Sequence, residues 1–377
     1  MVEAKKSIRL NSTVQSDGVL KAQLERIDRP SPGADEVVIE IQAAPINPSD
    51  LGAFFAGADL SSAKTSGTKE LPILTAPMDE ATLSAAKQRL DVPVPVGNEG
   101  AGLVVETGDS PAAQELMGKT VAALGGGMYA KHRCLPARAC LVLEPGVTSR
   151  DGASCFVNPL TALGMVETMR LEGHAALVHT AAASNLGQML IKLCAVENVP
   201  LVNIVRTTEQ VDLLRNLGAS FVCNSSAPDF LDALTEALGS TKATLAFDAV
   251  GGGVLASQIL TCMERVAGRN VKPSERYGST EHKQVYLYGM LNTEETRLDR
   301  TYGMAWGIGG WLMPNFLARI GNKKAQELRQ RVSREIKTIF ASHYTQEISL
   351  ADALDSDMAR RYLEKSTGEK YLINPSL

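Results

Sequence analysis

The feature that most constrains the fold is a regular alternation of strand-like and helix-like runs between about Asn158 and Met313. Short apolar runs, such as 175–179 and 201–205, are each followed by a run of helical length and periodicity. Buried apolar strands that alternate with helices of about 10–15 residues are typical of a parallel, doubly wound sheet. This section therefore predicts an α/β domain with all strand carboxyl ends at one edge.

The same patterns predict individual elements. The predicted strands cover 175–179, 201–205, 220–223, 243–249 and 284–288. The predicted helices cover about 186–197, 209–217, 229–238, 255–266 and 322–341, with a further helix at 350–363 and a strand at 371–373. Gly218 and Gly239 are expected to end the second and third helices, because glycine favours the C′ position.

The first 150 residues have a different pattern. Strand-like runs at 37–42, 102–106 and 120–124 lie between many prolines and glycines, which predicts a β-rich, barrel-like domain. Between about 60 and 92 the chain carries a Ser- and Thr-rich stretch and a predicted helix at 79–90, capped by Asp79 or Thr75. We interpret this interval as a surface insertion or lid; a loop without a role is the alternative.

The turn after the first strand of the alternating section carries the clearest chemical signal. Ala182, Ser184 and Gly187 occupy the three glycine positions of the G-x-G-x-x-G motif, between a strand and a helix. Small residues there let backbone N–H groups approach a pyrophosphate at the helix N-terminus. The context predicts a dinucleotide site, although a plain strand–helix turn remains the alternative. The residues expected to bind the cofactor here are Ala183, Ser184, Asn185, Leu186 and Gly187.

The end of the next strand indicates which dinucleotide binds. NAD-binding folds place an acidic residue about 20 positions after the turn, where it holds the ribose hydroxyls. In this chain Arg206 stands 19 positions after Gly187 (206 − 187). A guanidinium can pair bidentately with a 2′-phosphate, so Arg206 favours NADPH over NADH. The alternative is an exposed arginine that opens a helix.

Composition excludes several other functions. The net charge of −4 provides no basic field for a nucleic acid or an anionic membrane. The six cysteines form no C-x2-C pair and the five histidines form no close pair, so no metal site is predicted. His179 is expected to be a packed or hydrogen-bonded residue. With no apolar N-terminal region and no long apolar stretch, we expect a cytoplasmic protein without a signal peptide or membrane span.

Several short motifs together resemble the medium-chain dehydrogenase/reductase superfamily, in particular its zinc-free NADPH:quinone oxidoreductase-like branch. They occur in family order over nearly the whole chain. The motifs are Pro45-Ile46-Asn47-Pro48-Ser49-Asp50, Gly97-Asn98-Glu99-Gly100-Ala101-Gly102, Asn158-Pro159-Leu160-Thr161-Ala162, the cofactor turn, Leu217-Gly218-Ala219 and Phe247-Asp248-Ala249-Val250-Gly251-Gly252. The zinc alcohol dehydrogenases of this superfamily place a cysteine ligand where Asn47 stands and a histidine ligand where Asn98 stands, so the resemblance points to the metal-free branch.

The resemblance implies a fold and a division into domains. The fold class is a GroES-like β-barrel-type domain plus a Rossmann domain with a doubly wound parallel sheet. The implied boundaries are 1–157 for the GroES-like catalytic or substrate domain, with the insertion at about 60–92, then 158–341 for the NADP-binding domain. Residues 342–377 return to the first domain.

The resemblance also implies a reaction and further site residues. The reaction is hydride transfer from NADPH to a quinone or an activated (α,β-unsaturated) carbonyl, without metal. Gly251, Tyr288, Gly289 and Met290 are expected to let the nicotinamide lie flat beside the sheet. Asn47 and Thr161 are the candidate catalytic contacts, although Asn47 could equally be a structural turn residue. Lys365 and Lys370 could reach the cofactor, but exposed lysines are favoured.

Two other functions stay open, and a homodimer is expected. The mitochondrial-type 2-enoyl thioester reductases share the 97–100 and 203–206 segments and a Gly-rich aromatic strand like 309–312, but their catalytic tyrosine is missing from 51–59. A non-enzymatic NADP-binding protein is the third reading. The apolar strand at 308–313 is predicted to lie at a sheet edge and to pair across a two-fold axis. The partners expected are therefore a small-molecule substrate and a second copy of the chain.

Overall fold

The computed structural model describes residues 6–270, 276–364 and 370–377, and Lys365, which is expected to be an exposed lysine, lies outside them. The chain divides into two compact units. One comprises Met1–Val157 with Arg329–Leu377, and the other comprises Asn158–Leu328. The end of the predicted NADP-binding domain, at residue 341, lies beyond the last residue of the second unit.

The strands and helices are named in chain order. The strands are β1 Lys6–Val14, β2 Val19–Asp28, β3 Glu36–Pro45, β4 Lys64–Gly67, β5 Pro72–Pro77, β6 Val94–Pro95, β7 Glu99–Thr107, β8 Thr120–Leu124, β9 His132–Pro136, β10 Cys140–Val142, β11 Leu177–Thr180, β12 Leu201–Val205, β13 Phe221–Asn224, β14 Leu245–Asp248, β15 Gly251–Gly253, β16 Lys283–Leu287, β17 Asn292–Thr296, β18 Trp306–Gly310, β19 Gln346–Ile348 and β20 Tyr371–Ile373. The helices are α1 Pro48–Phe55, α2 Glu80–Ala85, α3 Pro111–Gln114, α4 Ser149–Gly152, α5 Val157–Leu171, α6 Asn185–Glu197, α7 Thr208–Asn216, α8 Phe230–Thr241, α9 Leu255–Ala267, α10 Met313–Glu335 and α11 Ser356–Glu364.

The first unit is built on two sheets. One has the strand order β4-β5-β2-β1-β6, and the other has the order β10-β8-β7-β3-β20-β19, with β9 paired to β3. Alternate residues of the long strands are buried, as in β2, where Leu20, Ala22 and Leu24 face the core. The β-rich domain predicted from the turn residues is thus present. The tail strand β20 joins β3 in antiparallel register, which returns the end of the chain to this unit.

The interval 60–92 is not the simple surface insertion or lid predicted from the sequence. Its strand β5 pairs with β2, and Leu74 and Ala76 of β5 are buried in the core of the unit. The predicted helix at 79–90 is shorter, because α2 ends at Ala85. Asp79 does cap it, by accepting the Thr82 N–H at 2.7 Å. The segment therefore extends the sheet and contributes to its hydrophobic core.

The second unit contains the predicted parallel sheet. Its strand order is β13-β12-β11-β14-β16-β18, and all five pairings are parallel. The order reverses direction beside β11, and ligands bind at such a switch point, outside the strand carboxyl ends. Helices α8 and α9 pack against one another, and their buried faces share a core with β11, β12 and β14. The predicted α/β class and doubly wound topology are confirmed.

Two helix ends differ from the prediction. Helix α8 continues past Gly239 to Thr241 and ends at Lys242, whose φ of 55° lies in the left-handed region. Glycine costs only about 1 kcal/mol inside a helix, so packing against α9 outweighs the stop signal. The helix predicted at 322–341 begins earlier and ends earlier, at Met313 and Glu335. Its backbone is not helical at Gly321, whose φ is 78°.

Candidate functional site

The strand–helix turn in the second unit has the geometry of a phosphate cradle. Ser184 is the N-cap of α6, and its Oγ accepts the Gly187 N–H at 3.2 Å. A Cβ atom at Gly187 would overlap the carbonyl oxygen of Ala182, so the helix can approach the strand this closely only with glycine there. The first turn of α6 directs its N–H groups toward the carboxyl edge of the sheet, where an anion is stabilised. The residues present therefore fit a dinucleotide pyrophosphate.

Two strand ends are locked together beside this turn. Thr180 Oγ1 donates to Asp248 Oδ1 at 2.7 Å and accepts the Ala249 N–H at 2.8 Å. The Asp248 carboxylate also accepts the N–H groups of Val250 (2.8 Å) and Gly251 (3.2 Å). The contacts of Thr180, Ala249 and Gly251 are buried, and that of Val250 is partly buried. They hold the ends of β11 and β14 in a fixed arrangement at the switch point.

At the same edge of the sheet, two glycines allow the backbone segments around residues 249–251 and 289 to lie in close contact. Gly251 has a φ of 78°, and a Cβ atom there would lie 2.7 Å from the Gly289 carbonyl oxygen. A Cβ atom at Gly289 would lie 2.7 Å from the Ala249 carbonyl oxygen. The predicted residues Gly251, Tyr288 and Gly289 therefore belong to one closely packed strand end. Met290 follows with 78% of its surface exposed.

Arg206 follows β12, next to the turn strand β11. Its backbone N–H donates to the Gln210 side chain at 2.8 Å, while its side chain is exposed. Among the residues that the structure describes, its guanidinium has no hydrogen-bond or ion-pair partner. An unpaired cation at this strand end matches the position predicted for a 2′-phosphate contact.

Tyr288 is held from the side by a buried histidine. His179 on β11 is fully buried, and its Nε2 lies 2.6 Å from the Tyr288 hydroxyl. Burial lowers the pKa of His179 to about 3, so the ring is neutral at physiological pH. The expectation of a packed, hydrogen-bonded histidine is confirmed. The sequence did not indicate its partner, because the two residues come from different strands.

Thr161 lies in α5 and is buried, with 8% of its surface exposed. Its helix packs on the sheet face that carries Trp311, whose Nε1 donates to Thr168 Oγ1 at 3.1 Å. Because α5 leads into β11 and runs back along the sheet, its first turn lies toward the strand carboxyl ends. The structure thus places Thr161 on the same edge of the second unit as the cofactor turn.

The other predicted catalytic residue, Asn47, belongs to a buried polar cluster in the first unit. Only 1% of its surface is exposed, and its Nδ2 donates to Glu99 Oε1 at 2.8 Å. The other oxygen of Glu99 accepts the N–H groups of Phe156 (2.8 Å) and Val157 (2.9 Å). Asp50 accepts the N–H groups of Asn47 and Asn98, both at 2.7 Å. Asp50 and Glu99 are therefore internal hydrogen-bond partners of this unit.

The cluster includes Lys370, contrary to the expectation of an exposed lysine. Lys370 is buried, and its Nζ donates to Ser154 Oγ at 2.8 Å. The same Ser154 oxygen lies 2.9 Å from the Tyr344 hydroxyl. The burial follows from β20, since Tyr371 accepts the Ile46 N–H and fixes the preceding residue beside Asn47. The predicted strand at 371–373 did not indicate that β20 pairs with β3, and so it did not indicate that Lys370 is buried.

Burial shifts the ionisation of this cluster. It raises the pKa of Asp50 to about 7 and also raises the pKa of Glu99, although the nearby Lys370 opposes the second shift. Burial lowers the pKa of Lys370 to about 8, against the attraction of Glu99 and Asp50. Tyr129, whose hydroxyl donates to the Pro45 carbonyl at 3.0 Å, is fully buried and is therefore a core aromatic.

The described residues contain neither a candidate metal-binding cluster nor a candidate membrane-spanning helix. Within 6–270, 276–364 and 370–377, no group of three or more histidine, cysteine or acidic side chains could hold a metal ion. In the same residues, no helix combines the length and the apolar character that crossing a membrane requires.

Known proteins with similar sequence or structure were then compared with the chain. No protein-family model matches it. A crystal structure of a candidate NADPH:quinone reductase from Mesorhizobium loti superposes with a TM-score of 0.74 and 26% identity, covering 100% of both chains. The Escherichia coli quinone oxidoreductase complexed with NADPH gives a TM-score of 0.70 with 16% identity, covering 98% of this chain and 100% of that one.

A curated relative points to a second activity in the same superfamily. The mitochondrial enoyl-[acyl-carrier-protein] reductase of Bos taurus is 26% identical over 206 residues, or 53% of this chain and 48% of the relative. The chain thus spans about half the length of that relative. The structural neighbours confirm the predicted GroES-like and Rossmann architecture. These homologues and structural neighbours, quinone oxidoreductase-like proteins and enoyl reductases, belong to the medium-chain dehydrogenase/reductase superfamily that the sequence motifs resemble.

Proposed function

We propose that this chain is an NADPH-dependent reductase that transfers a hydride to a quinone or an activated carbonyl acceptor, without a metal ion. In this proposal, residues 158–328 form the cofactor-binding domain. Residues 1–157 with 329–377 form the GroES-like domain that contributes to substrate binding. The similarity to NADPH:quinone reductases supports the reaction class.

The observation that carries the cofactor assignment is the unpaired guanidinium of Arg206 at the end of β12. A 2′-phosphate is the group of NADPH that NADH lacks, and arginine pairs with phosphate through two parallel hydrogen bonds. The neighbouring strand ends in the Ser184–Gly187 turn, whose geometry fits a pyrophosphate. A cation and a phosphate cradle on adjacent strands together favour NADPH.

Each remaining residue of the proposed site has a defined task. NADPH supplies the hydride when it is bound. The backbone N–H groups of Ala183, Ser184, Asn185, Leu186 and Gly187 would hold the pyrophosphate. Gly251 and the segment 288–290 would leave room for the nicotinamide, and the Thr161 hydroxyl would contact the nicotinamide or the acceptor. Asn47 is also proposed as a contact, with its amide orientation fixed by Glu99.

A quinone acceptor does not require a dedicated acid. Hydride addition to a quinone gives a phenolate-like anion, which neutral hydrogen-bond donors or water can stabilise and protonate. The site therefore needs mainly to position the two reactants and exclude water. This requirement agrees with a chain in which the expected tyrosine of the enoyl reductases is missing.

The second candidate function is reduction of a 2-enoyl thioester. The relationship to the bovine mitochondrial enoyl reductase favours it. Such a reduction needs a proton donor at the α-carbon as well as a hydride. The stretch 51–59 offers no tyrosine, and Phe54 and Phe55 are buried in the hydrophobic core of the unit. Another donor would have to act, so this function ranks second.

The test is oxidation of NADPH and of NADH by the purified full chain with two acceptors, a small 1,4-quinone and a 2-enoyl thioester. Turnover of NADPH with the quinone supports the first proposal. Turnover with the thioester alone would transfer the assignment to the second. Binding of NADPH without turnover of either acceptor would favour a non-enzymatic NADP-binding protein.

The Arg206→Ala variant tests the cofactor assignment directly. We expect the Kd for NADPH to rise about 10- to 100-fold, since a hydrogen-bonded charge contributes about 1.5–3 kcal/mol. The Kd for NADH should change little. Arg215→Ala, which removes an exposed arginine near the end of α7, is the matched control. Equal losses for both cofactors would remove Arg206 from the phosphate site.

We also propose a homodimer formed through β18. This strand lies at an edge of the six-stranded sheet, so its outer backbone groups have no neighbouring strand within the described sheet. Leu312, which follows it, is 59% exposed. Pairing with a second copy would satisfy these groups. Light scattering should give twice the chain mass of 40.2 kDa, and a single-chain mass would contradict the proposal.

We place the protein in a reducing compartment, with the cytoplasm as the proposed location. All six cysteines are free, and burial raises the pKa of Cys155, Cys194 and Cys223. Unpaired, poorly ionised thiols are typical of proteins that do not meet an oxidising environment.

A further inference from the structure

The two ring nitrogens of His179 differ in their hydrogen bonding, since only one of them has a partner among the described residues. The His179 ring is fully buried on β11, and its Nε2 lies 2.6 Å from the Tyr288 oxygen. The two rings lie nearly parallel, with an interplanar angle of 22° and centroids 5.7 Å apart. The other ring nitrogen, Nδ1, is buried and has no hydrogen-bond partner among the described residues.

This asymmetry selects one tautomer of the imidazole. A neutral histidine carries a single N–H, on either Nδ1 or Nε2. If the proton were on Nδ1, a buried donor would have no acceptor, which folded proteins almost never tolerate. If the proton is on Nε2, it is donated to Tyr288, and only a lone pair remains unmatched. Burial keeps the ring neutral, which agrees with a single N–H.

The tautomer determines where the tyrosine proton points. When Nε2–H donates to the Tyr288 oxygen, the phenol cannot donate its own hydrogen back to His179. That hydrogen is then available to a different acceptor. Apart from His179, no described residue forms a side-chain hydrogen bond with the Tyr288 hydroxyl.

The position of Tyr288 shows which kind of acceptor could be reached. The residue directly follows β16, and its backbone N–H donates to the Asp248 carbonyl at 3.0 Å. It therefore lies at the carboxyl edge of the sheet. The Thr180–Asp248 hydrogen bond and the close backbone contact between Gly251 and Gly289 lie at the same edge. Tyr288 is partly exposed there, unlike His179. Ligands of doubly wound sheets bind at this edge.

We propose that His179 is a positioning residue whose Nε2–H fixes Tyr288, so that the Tyr288 hydroxyl donates a hydrogen bond to a carbonyl oxygen of the ligand bound at the strand ends. The inference rests on the proposed NADPH-dependent reductase function and extends it. The carbonyl can come from the carboxamide of the cofactor or from the acceptor. The two sources have the same chemistry, and the experiments below separate them.

The first experiment reads the tautomer without any ligand. Nitrogen-15 NMR of histidine-labelled full-length protein distinguishes protonated from unprotonated ring nitrogens. We expect His179 to show Nε2–H and a bare Nδ1, with no titration between pH 5 and 9. The Tyr288→Phe variant assigns the signal, because it removes the contact to Nε2. An Nδ1–H tautomer would overturn the inference.

The second experiment measures function in four variants. Tyr288→Phe removes only the hydroxyl, and His179→Leu removes the donor that orients it. His179→Gln keeps an N–H donor near the Nε2 position. Tyr286→Phe is the matched control. Tyr286 lies in β16, two residues before Tyr288, and its hydroxyl donates to Glu172 at 3.0 Å. Thermal unfolding verifies that each variant is folded.

The outcomes separate the two sources of the carbonyl. We expect Tyr288→Phe and His179→Leu each to lose about tenfold, as for one neutral hydrogen bond, with the double variant no worse. A loss in the Kd for NADPH assigns the carbonyl to the carboxamide. A loss in kcat or KM for the acceptor, with Kd unchanged, assigns it to the acceptor. His179→Gln should recover most of either loss.

Failure of this inference differs from failure of the proposed function. If wild-type protein binds NADPH and reduces an acceptor, but Tyr288→Phe matches Tyr286→Phe in Kd, KM and kcat, the hydrogen bond to the ligand is refuted and the reductase assignment survives. If His179→Gln is as impaired as His179→Leu, the donor role is refuted. If wild-type protein does not bind NADPH at all, the proposed function fails, and the ligand part of this inference fails with it.

Discussion

The cofactor turn of the second unit and the buried polar cluster of the first unit are built in opposite ways. The turn consists of consecutive residues, 180–187, between a strand and a helix. The cluster brings Asn47, Glu99, Ser154 and Lys370 together from four distant parts of the sequence. In the turn, backbone groups face the sheet edge, whereas in the cluster side chains satisfy one another inside the unit.

The comparison separates charged side chains that are available to bind a ligand from charged side chains that stabilise the fold. The Arg206 side chain beside the turn is exposed and its guanidinium has no partner among the described residues, which leaves it available to a ligand. In the cluster, each carboxyl group already accepts several hydrogen bonds. A polar group that is fully satisfied internally stabilises the fold, and its removal should reduce stability before it affects ligand binding. The following variants test that distinction.

The largest effect is expected for Glu99→Ala. The carboxylate is fully buried and accepts three hydrogen bonds, from Asn47 Nδ2 and from the N–H groups of Phe156 and Val157. Alanine would remove the acceptor of all three hydrogen bonds, at a cost of about 1–2 kcal/mol each. We expect the free energy of unfolding to fall by about 3–6 kcal/mol in urea denaturation.

A matched acidic residue provides the control for this variant. Glu115 is exposed and belongs to the same unit, so Glu115→Ala should change the free energy of unfolding by less than about 0.5 kcal/mol. If Glu99→Ala is as stable as this control but loses activity, then the cluster serves catalysis rather than structure. That result would remove the contrast between the two regions.

The same contrast explains which features could be predicted from the sequence. The turn at 180–187 and the Asp79 cap depend on neighbouring residues, so local patterns revealed them. The burial of Lys370 depends on β20 pairing with β3, a contact between residues more than 300 positions apart, so local patterns missed it. Gly239 failed as a stop signal for the same reason, because packing against α9 decides where α8 ends.

The second test uses the pH dependence of stability. Burial lowers the pKa of Lys370 to about 8 from its usual 10.5. Between these two values the unfolded chain binds the proton more tightly than the native chain, so stability rises with pH from about 8 to 10.5. The contribution is fully present above the unfolded pKa and is lost as pH falls through 8. A shift of this size corresponds to about 3 kcal/mol.

The Lys370→Met variant isolates this contribution. We expect the difference in the free energy of unfolding between wild-type and variant protein to change by about 3 kcal/mol between pH 7.5 and 10.5, in favour of wild type at the higher pH. Lys119→Met, which removes an exposed lysine of the same unit, is the control and should show no such slope. Parallel pH profiles for wild type and Lys370→Met would mean that Lys370 is not buried as a charge.

The smallest effect on stability is expected at Ser184, where capping and anion binding share one residue. The Ser184 Oγ accepts the Gly187 N–H at 3.2 Å, so Ser184→Ala should lower the free energy of unfolding by about 1 kcal/mol. Ser184→Asp keeps a capping oxygen and should preserve stability, but its negative charge would repel a pyrophosphate. We therefore expect Ser184→Asp to weaken NADPH binding more than Ser184→Ala, although Ser184→Asp is the more stable variant. Isothermal titration and urea denaturation of the two proteins measure both quantities. If binding follows stability instead, the turn acts only as a structural cap, and the two regions of the molecule no longer differ in kind.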